Sequence, residues 1–300
     1  MRLNALGKLR RALQALDILI TRRNYRAGYF APPVEPAGIE RWRRFLSGLE
    51  TDEGTAEYLA THAERLARTL ELVPETGPSG RALELGCYMQ MTPALGLELG
   101  YEEVRGGYYG PAGGREVKSV RLDRDREFHC EIDLFDAERD RFPYPGDHFD
   151  CVLACEIIEH LKTDPMHMMA EIRRVLRDGG ALVLTTPNCA SLGSVTRVLH
   201  GFQSPQVYSC YPLPGKPDGD SPHVREYTPF EVKQLLEAAG FRLDVMLTDR
   251  IGSHEEGTWA YELLERNGFG TELRGEQIYC RAIKDQGLPV SRYPSFLYEG

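Results

Sequence analysis

Glu156, Glu159 and His160 fall within five consecutive residues, Glu156-Ile157-Ile158-Glu159-His160, and His223 follows in a later loop. If the stretch opens a helix, the i, i+3, i+4 spacing puts the first three on one face. Two carboxylates and two imidazoles make a ligand set for a divalent ion such as Mg²⁺, Mn²⁺, Fe²⁺ or Zn²⁺. Such an ion would lower the pKa of a hydroxyl bound to it. Without an ion, His160 is the general base best matched to neutral pH, since free imidazole titrates near ~6.5. Glu156 and His160 then line a pocket, while Glu159 caps a helix or faces water.

These groups need a scaffold that gathers them. From residue 81 onward, short apolar runs alternate with helical ones. Strands are expected over 81–85, 103–105, 127–134, 149–154, 181–186, 241–247 and 277–283, and Val117, Val120 and Leu122 suggest an extra one. Helices are expected over about 39–49, 55–72, 92–99 and 257–266. Another starts at Asp164-Pro165 and stops at Asp178-Gly179-Gly180, and one more starts at the capping box Thr228-Pro229-Phe230-Glu231. Such alternation predicts an α/β fold with a doubly wound, Rossmann-like sheet. Ligands of such sheets bind beyond the C-terminal strand ends, where strand order reverses. Those ends carry Glu84-Leu85-Gly86-Cys87-Tyr88, Asp136-Ala137-Glu138, Cys155-Glu156 and Thr186-Pro187-Asn188. An edge so rich in acids suits a cationic ligand with a ribose, such as a sulfonium nucleoside.

Composition narrows the class. A net charge of −9 with 42% hydrophobic and 27% charged residues describes a globular chain and excludes disordered, collagen-like and coiled-coil ones. No apolar run approaches the ~20 residues of a membrane span, and no secretory leader is evident. Seven scattered cysteines suit a reducing compartment, so a cytoplasmic location is expected. The acidic balance weighs against nucleic acid as a partner. Residues 1–26 differ: seven Arg or Lys stand against one acid, and Leu3, Leu6, Leu9, Leu13, Leu16 and Ile20 form an apolar stripe. The stripe predicts a helix that packs on the main domain or a dimer mate, or lies on an anionic membrane. The expected organisation is a basic helical extension and linker over 1–50, a main domain over 51–284 and a tail over 285–300. Within the main domain, 189–227 is an acceptor-side insertion or lid rich in Tyr and Pro.

The segments Phe142-Pro143-Tyr144, Glu156-Ile157-Ile158-Glu159-His160-Leu161, Glu171-Ile172-Arg173-Arg174-Val175-Leu176-Arg177-Asp178-Gly179-Gly180 and Thr185-Thr186-Pro187-Asn188 come in a telling order. With His223, Arg225-Glu226-Tyr227-Thr228-Pro229 and Leu235-Leu236-Glu237-Ala238-Ala239-Gly240-Phe241, the chain resembles class I S-adenosylmethionine-dependent methyltransferases over residues 80–283. It is closest to the bacterial group that includes ubiquinone-type O-methyltransferases. The resemblance implies a seven-stranded methyltransferase sheet behind an N-terminal helical extension, with S-adenosylmethionine as cofactor. It places Glu84, Gly86, Cys87, Tyr88 and Gln90 in the loop beneath the methionine part, Asp136 and Ala137 at the adenine, and Cys155 and Glu156 beside the methyl group. His160 and Glu156 are then the catalytic candidates. Glu156, Glu159, His160 and His223 resemble the ligand set of metal-dependent 2′-O-methyltransferases of small RNA and of some ubiquinone-pathway enzymes.

The implied reaction is O-methylation of a small-molecule or glycan hydroxyl. Two departures from the family pattern matter. The usual Gly-x-Gly is here Gly86-Cys87-Tyr88, Gln90 replaces the last glycine of the loop, and Val104-Arg105-Gly106-Gly107-Tyr108-Tyr109-Gly110 lacks the acid that ordinarily holds the ribose. Tyr108, Tyr109 or Gln90 would have to substitute, or cofactor binding is weakened. Two rivals therefore stand beside the enzyme: a degenerate binding module with this fold, and a metal-dependent enzyme without the sulfonium cofactor.

Overall fold

The computed structural model describes residues 36–123, 125–202, 204, 222–249 and 258–298. The amphipathic stretch 1–26 and residues Tyr208, Tyr211, Pro212, Pro214 and Pro217 of the insertion lie outside these.

Two helices lead in, α1 (Pro36–Ser47) and α2 (Glu53–Leu72). The stretch read as a linker ends early, because α1 starts at Pro36 and proline is well tolerated in a first turn. The Asp52 carboxylate accepts the Thr55 N–H at 3.0 Å and so caps α2. Then follow β1 (Gly80–Leu85), α3 (Thr92–Leu97), β2 (Tyr101–Tyr108), β3 (Gly114–Arg121), β4 (Glu127–Leu134) and β5 (Phe149–Cys155). After them come α4 (Pro165–Val175), β6 (Leu176–Pro187), α5 (Leu192–His200), α6 (Pro229–Ala238), β7 (Phe241–Asp249), α7 (Thr258–Arg266) and β8 (Gln277–Lys284). The Asp178-Gly179-Gly180 triplet lies inside β6, not at a helix end: α4 stops at Val175, and Gly179 turns the strand entrance at φ +74°. The capping box at Thr228 and Glu231 forms as its spacing predicts.

The strands make one sheet in the order β3-β4-β2-β1-β5-β6-β8-β7. The extra strand read from Val117 and Val120 is β3, antiparallel to β4, and it brings the sheet to eight strands. β1, β2, β4, β5 and β6 run parallel, while β8 runs antiparallel between β6 and β7. The chain moves outward from β1 through β2, then returns across β1 to lay down β5. The switch point is therefore the gap between the ends of β1 and β5.

Strand side chains alternate between faces, and the two faces carry separate cores. Leu83, Leu85, Val152, Ala154, Leu182 and Leu184 pack with α4 and α6. Ala82, Cys151, Leu153, Ala181 and Val183 pack under α1, α2 and α3, where Trp42, Leu66 and Leu70 are buried. Residues 296–298 of the tail pack against the first core. Arg292 pairs with the Asp164 carboxylate at the start of α4, and the Tyr298 hydroxyl donates to the same group at 2.5 Å. The tail thus ties the loop after β5 to the body of the domain.

Arg292 and Tyr298 hold the Asp164 carboxyl down at about 2. Asp164 therefore favours the fold above the ordinary carboxylate value of ~3.9, and this contribution is lost as pH falls toward about 2. Arg292→Leu should lower Tm by roughly 2–4 °C at pH 7, the effect of about 1 kcal/mol in a domain this size. The wild-type advantage should shrink between pH 5 and 2 in thermal unfolding monitored by circular dichroism.

Candidate active site

β5 ends at Cys155, and Glu156 follows in a left-handed backbone conformation, φ +54°. A β-carbon makes this region costly, about 1–2 kcal/mol, so the position must be held from outside. Three side chains hold it. Thr185 Oγ1 donates to Glu156 Oε1 at 2.7 Å and Gln277 Nε2 donates to the same oxygen at 2.6 Å. The guanidinium of Arg65, only 6% exposed, lies 3.8 Å away. Arg65 also donates to the Tyr58 hydroxyl at 2.5 Å, and the His62 ring packs 4.4 Å from that of Tyr58. Tyr58, His62 and Arg65 fall at i, i+4 and i+7 on α2, one stripe turned toward the end of β5. Burial and the nearby Arg65 cation push the His62 imidazole down.

The left-handed turn overturns the helix-face expectation for 156–160. Only Ile158–His160 is helical, as a single 3₁₀ turn. Glu156 hydrogen-bonds to Thr185, while Glu159 Oε2 accepts from Thr186 Oγ1 at 2.9 Å. Thr185 and Thr186 are successive residues of β6 and point to opposite faces. The two carboxylates are therefore separated by the sheet and do not share one ligand set. Glu159 is neither a cap nor solvated: it is fully buried, and burial together with the Glu156 charge raises its pKa well above the usual range. Glu159, His160 and His223 do meet, each offering a ligand atom within 4.8 Å of the others. Glu159 Oε1 makes no hydrogen bond and lies 4.0 Å from His160 Nε2. The His160 and His223 rings cross at 4.7 Å, and His223 Nδ1 meets Glu226 Oε1 at 2.9 Å. The Val224 N–H, donating to the Glu159 carbonyl at 2.7 Å, brings the insertion back over this turn.

Opposite, Gly86 leaves β1 at φ +67°, and a Cβ there would come within 3.3 Å of the Ile157 side chain. The loops that follow β1 and β5 thus face each other across the switch point. Glu84 lies near the end of β1 beneath this loop, 3% exposed, and accepts from the Thr92 hydroxyl at the start of α3. Burial raises its carboxyl well above the usual range, so it shapes the loop from beneath and does not stand on an open rim. Cys87 is buried, with its sulfur 3.1 Å from Thr92 Oγ1. Tyr88 stands out at the rim, 58% exposed, and Gln90 is half-buried. Past β4, Asp136 Oδ1 accepts the Glu138 N–H at 2.9 Å, closing a turn over half-buried Ala137. Among the described residues no acceptor takes the Ala137 N–H. Burial pushes the Cys155 thiol up, so it lines the edge as an apolar group and does not act as a nucleophile.

Arg65, Tyr58, His62 and Gln277 escaped the sequence reading. Their signal was the Tyr-x₃-His-x₂-Arg stripe, polar groups on the helix face that the apolar pattern assigns to the core. A shallow groove of about 330 Å³ opens at the opposite, N-terminal edge of the strands. Its charges pair with each other, Arg177 with Asp150 at 2.6 Å and Arg281 with Asp244 at 2.7 Å.

A family model described as a methyltransferase domain matches residues 56–244. A Mycolicibacterium smegmatis protein described as a probable S-adenosylmethionine-dependent methyltransferase is 29% identical over 132 residues. The match spans 44% of this chain and 43% of that relative's length. Among solved structures, a SAM-dependent methyltransferase from Archaeoglobus fulgidus aligns with TM-score 0.49 and 17% identity, over 78% of this chain and 100% of that one. An S-adenosylmethionine-dependent methyltransferase from Mesorhizobium loti aligns with TM-score 0.43 and 16% identity, over 74% and 97%.

The left-handed turn makes a test of its own. Glu156→Gly and Glu156→Ala both leave Arg65 without its counter-charge, so their difference isolates the backbone. The glycine variant should be the more stable by about 1 kcal/mol in urea unfolding. Equal stability would mean that the turn relaxes once the carboxylate is gone.

Proposed function

The chain belongs to the methyltransferase-domain family, the class I S-adenosylmethionine-dependent methyltransferases, and on that premise we propose that it methylates a hydroxyl of a small molecule or glycan at the β1–β5 switch point. The observation that carries this reading is the meeting of the Gly86 and Glu156 loops there, with the His160 N–H donating back to the Ile157 carbonyl at 2.9 Å.

The residues present fit the methyl donor. Gly86 leaves a backbone surface without a side chain, and the Ala137 N–H is a donor with no protein acceptor among the described residues. Gly86, Tyr88 and Gln90 would hold its amino-acid end, and Ala137 with the Asp136 turn its adenine. When bound, the donor supplies an electrophilic methyl group. The protein's own work is positioning and exclusion of water. Buried Arg65 and half-buried Glu156 form a neutralised pair that sets the floor of the crevice. Glu156, taken up by two hydrogen-bond donors and the Arg65 cation, positions the edge and is not the base. His160 keeps 28% side-chain exposure and its imidazole can take the acceptor proton.

A second reading adds a divalent ion at Glu159, His160 and His223. It is favoured by the unsatisfied Glu159 oxygen, since a buried acceptor without a donor is costly. One carboxylate and two imidazoles suit Mn²⁺, Fe²⁺ or Zn²⁺, and such an ion lowers the pKa of a coordinated hydroxyl.

Mass spectrometry of ligand released from the purified full-length chain should find S-adenosylmethionine or S-adenosylhomocysteine, and calorimetry should detect binding of either. A chain that binds neither would leave the fold but not the reaction. His160→Asn should cut methyl transfer by about 100-fold or more without changing S-adenosylhomocysteine affinity. If the ion belongs, Mn²⁺ or Zn²⁺ should raise the Tm of the wild type and leave Glu159→Gln unmoved. Equal shifts for both proteins would exclude the site.

A further inference from the structure

In sheets of this kind an acid about 20 residues beyond the glycine turn ordinarily holds the ribose hydroxyls. Counted from Gly86, that position is the end of β2, which reads Gly106-Gly107-Tyr108. The nearby acids are committed elsewhere. Glu103 lies toward the other end of β2, 3.3 Å from both Arg81 and His148. Asp133, opposite Gly107 on β4, is closed off by Arg105 at 2.6 Å and Arg115 at 2.9 Å.

What stands there is a pair of phenols. The Tyr108 hydroxyl donates to the Tyr88 oxygen at 3.1 Å, and the rings meet edge to face with centroids 5.2 Å apart. The Cys87 N–H donates to the Gly107 carbonyl at 3.1 Å, which locks the glycine loop to β2 and brings the two tyrosines together. β3, the extra strand, places Lys118 Nζ 5.4 Å above the Tyr108 ring. The missing acid and the extra hairpin thus meet in one place, where the hairpin's Lys118 covers the Tyr108 ring that stands at the end of β2.

We propose that the Tyr88–Tyr108 hydroxyl pair is the ribose subsite of the methyl donor. An ionised carboxylate only accepts hydrogen bonds, whereas phenols both donate and accept, so the pair can meet a diol in both senses. This assignment rests on the methyl-donor reading of the same crevice.

Calorimetry on the full-length chain tests it with two ligands, S-adenosylhomocysteine and its 2′,3′-dideoxy analogue. The wild type should bind the analogue at least tenfold more weakly. Tyr108→Phe and Tyr88→Phe should each weaken S-adenosylhomocysteine about tenfold, roughly what one neutral hydrogen bond is worth, yet bind the analogue as the wild type does. Lys118→Ala should have a smaller effect in the same direction. Variants that weaken both ligands equally would reduce the tyrosines to packing groups, and variants with wild-type affinity for both would remove them from the site. The wild-type comparison between ligands needs no variant to fold, and equal affinities there would also overturn the assignment. Absence of any binding by the wild type would defeat the methyl-donor reading as well, and so is distinct from failure of the tyrosine pair alone.

Discussion

Arg65 from α2, Thr185 from β6 and Gln277 from β8 all converge on the carboxylate of Glu156. α2 can lay Arg65 across the sheet edge only if its charge is met there, because a buried guanidinium without a counter-charge costs several kcal/mol. Glu156 supplies that charge, and its three partners in turn hold a backbone turn that the residue would not adopt alone. The same turn sends Ile157 toward Gly86 and delivers Glu159 to the other side of the sheet. Remove this knot and the floor of the crevice, the docking of the leading helix and the direction of the following chain all lose their reference.

The two acids of the 156–160 stretch consequently live in different chemical worlds. Glu156 faces a cation and two neutral donors on one side of β6. Glu159, on the other, has one threonine donor, one unsatisfied oxygen beside two imidazoles and, among the described residues, no cation at hydrogen-bonding distance. The pairing explains why Glu156 serves as architecture. The deficit around Glu159 leaves an unsatisfied buried oxygen facing His160 and His223, the place where the proposed reading puts the proton acceptor or an ion.

On the far side of β1 the sheet departs from the plain alternating pattern in a coordinated way. β3 and β4 form an antiparallel ladder of eight paired positions, and Arg105 and Arg115 close over Asp133 between them. The edge there is consequently built from aromatic rings and neutral hydroxyls, where the other end of the crevice is built from charges.

The α/β class, the parallel centre of what is a mixed sheet, the capped starts of α4 and α6 and the extra strand were legible in the chain. These follow from local rules: apolar periodicity, proline at a first helical position, and oxygen side chains beside free N–H groups. Gly86, Asp136, Glu156 and His160 could be placed at strand ends for the same reason. Which of them meet could not be read locally. The i, i+3, i+4 spacing presumes a helix, and a left-handed residue stabilised from β6 and β8 cancels that presumption. Arg65 and Gln277 stand about 90 and 120 positions from Glu156 in the chain, so nothing in their neighbourhood announces the contact. Local geometry is decided by short-range sterics and hydrogen bonding, which a sequence carries in its own neighbourhoods. The pairing of buried charges is decided by desolvation, which exists only once the sheet and its covering helices have excluded water.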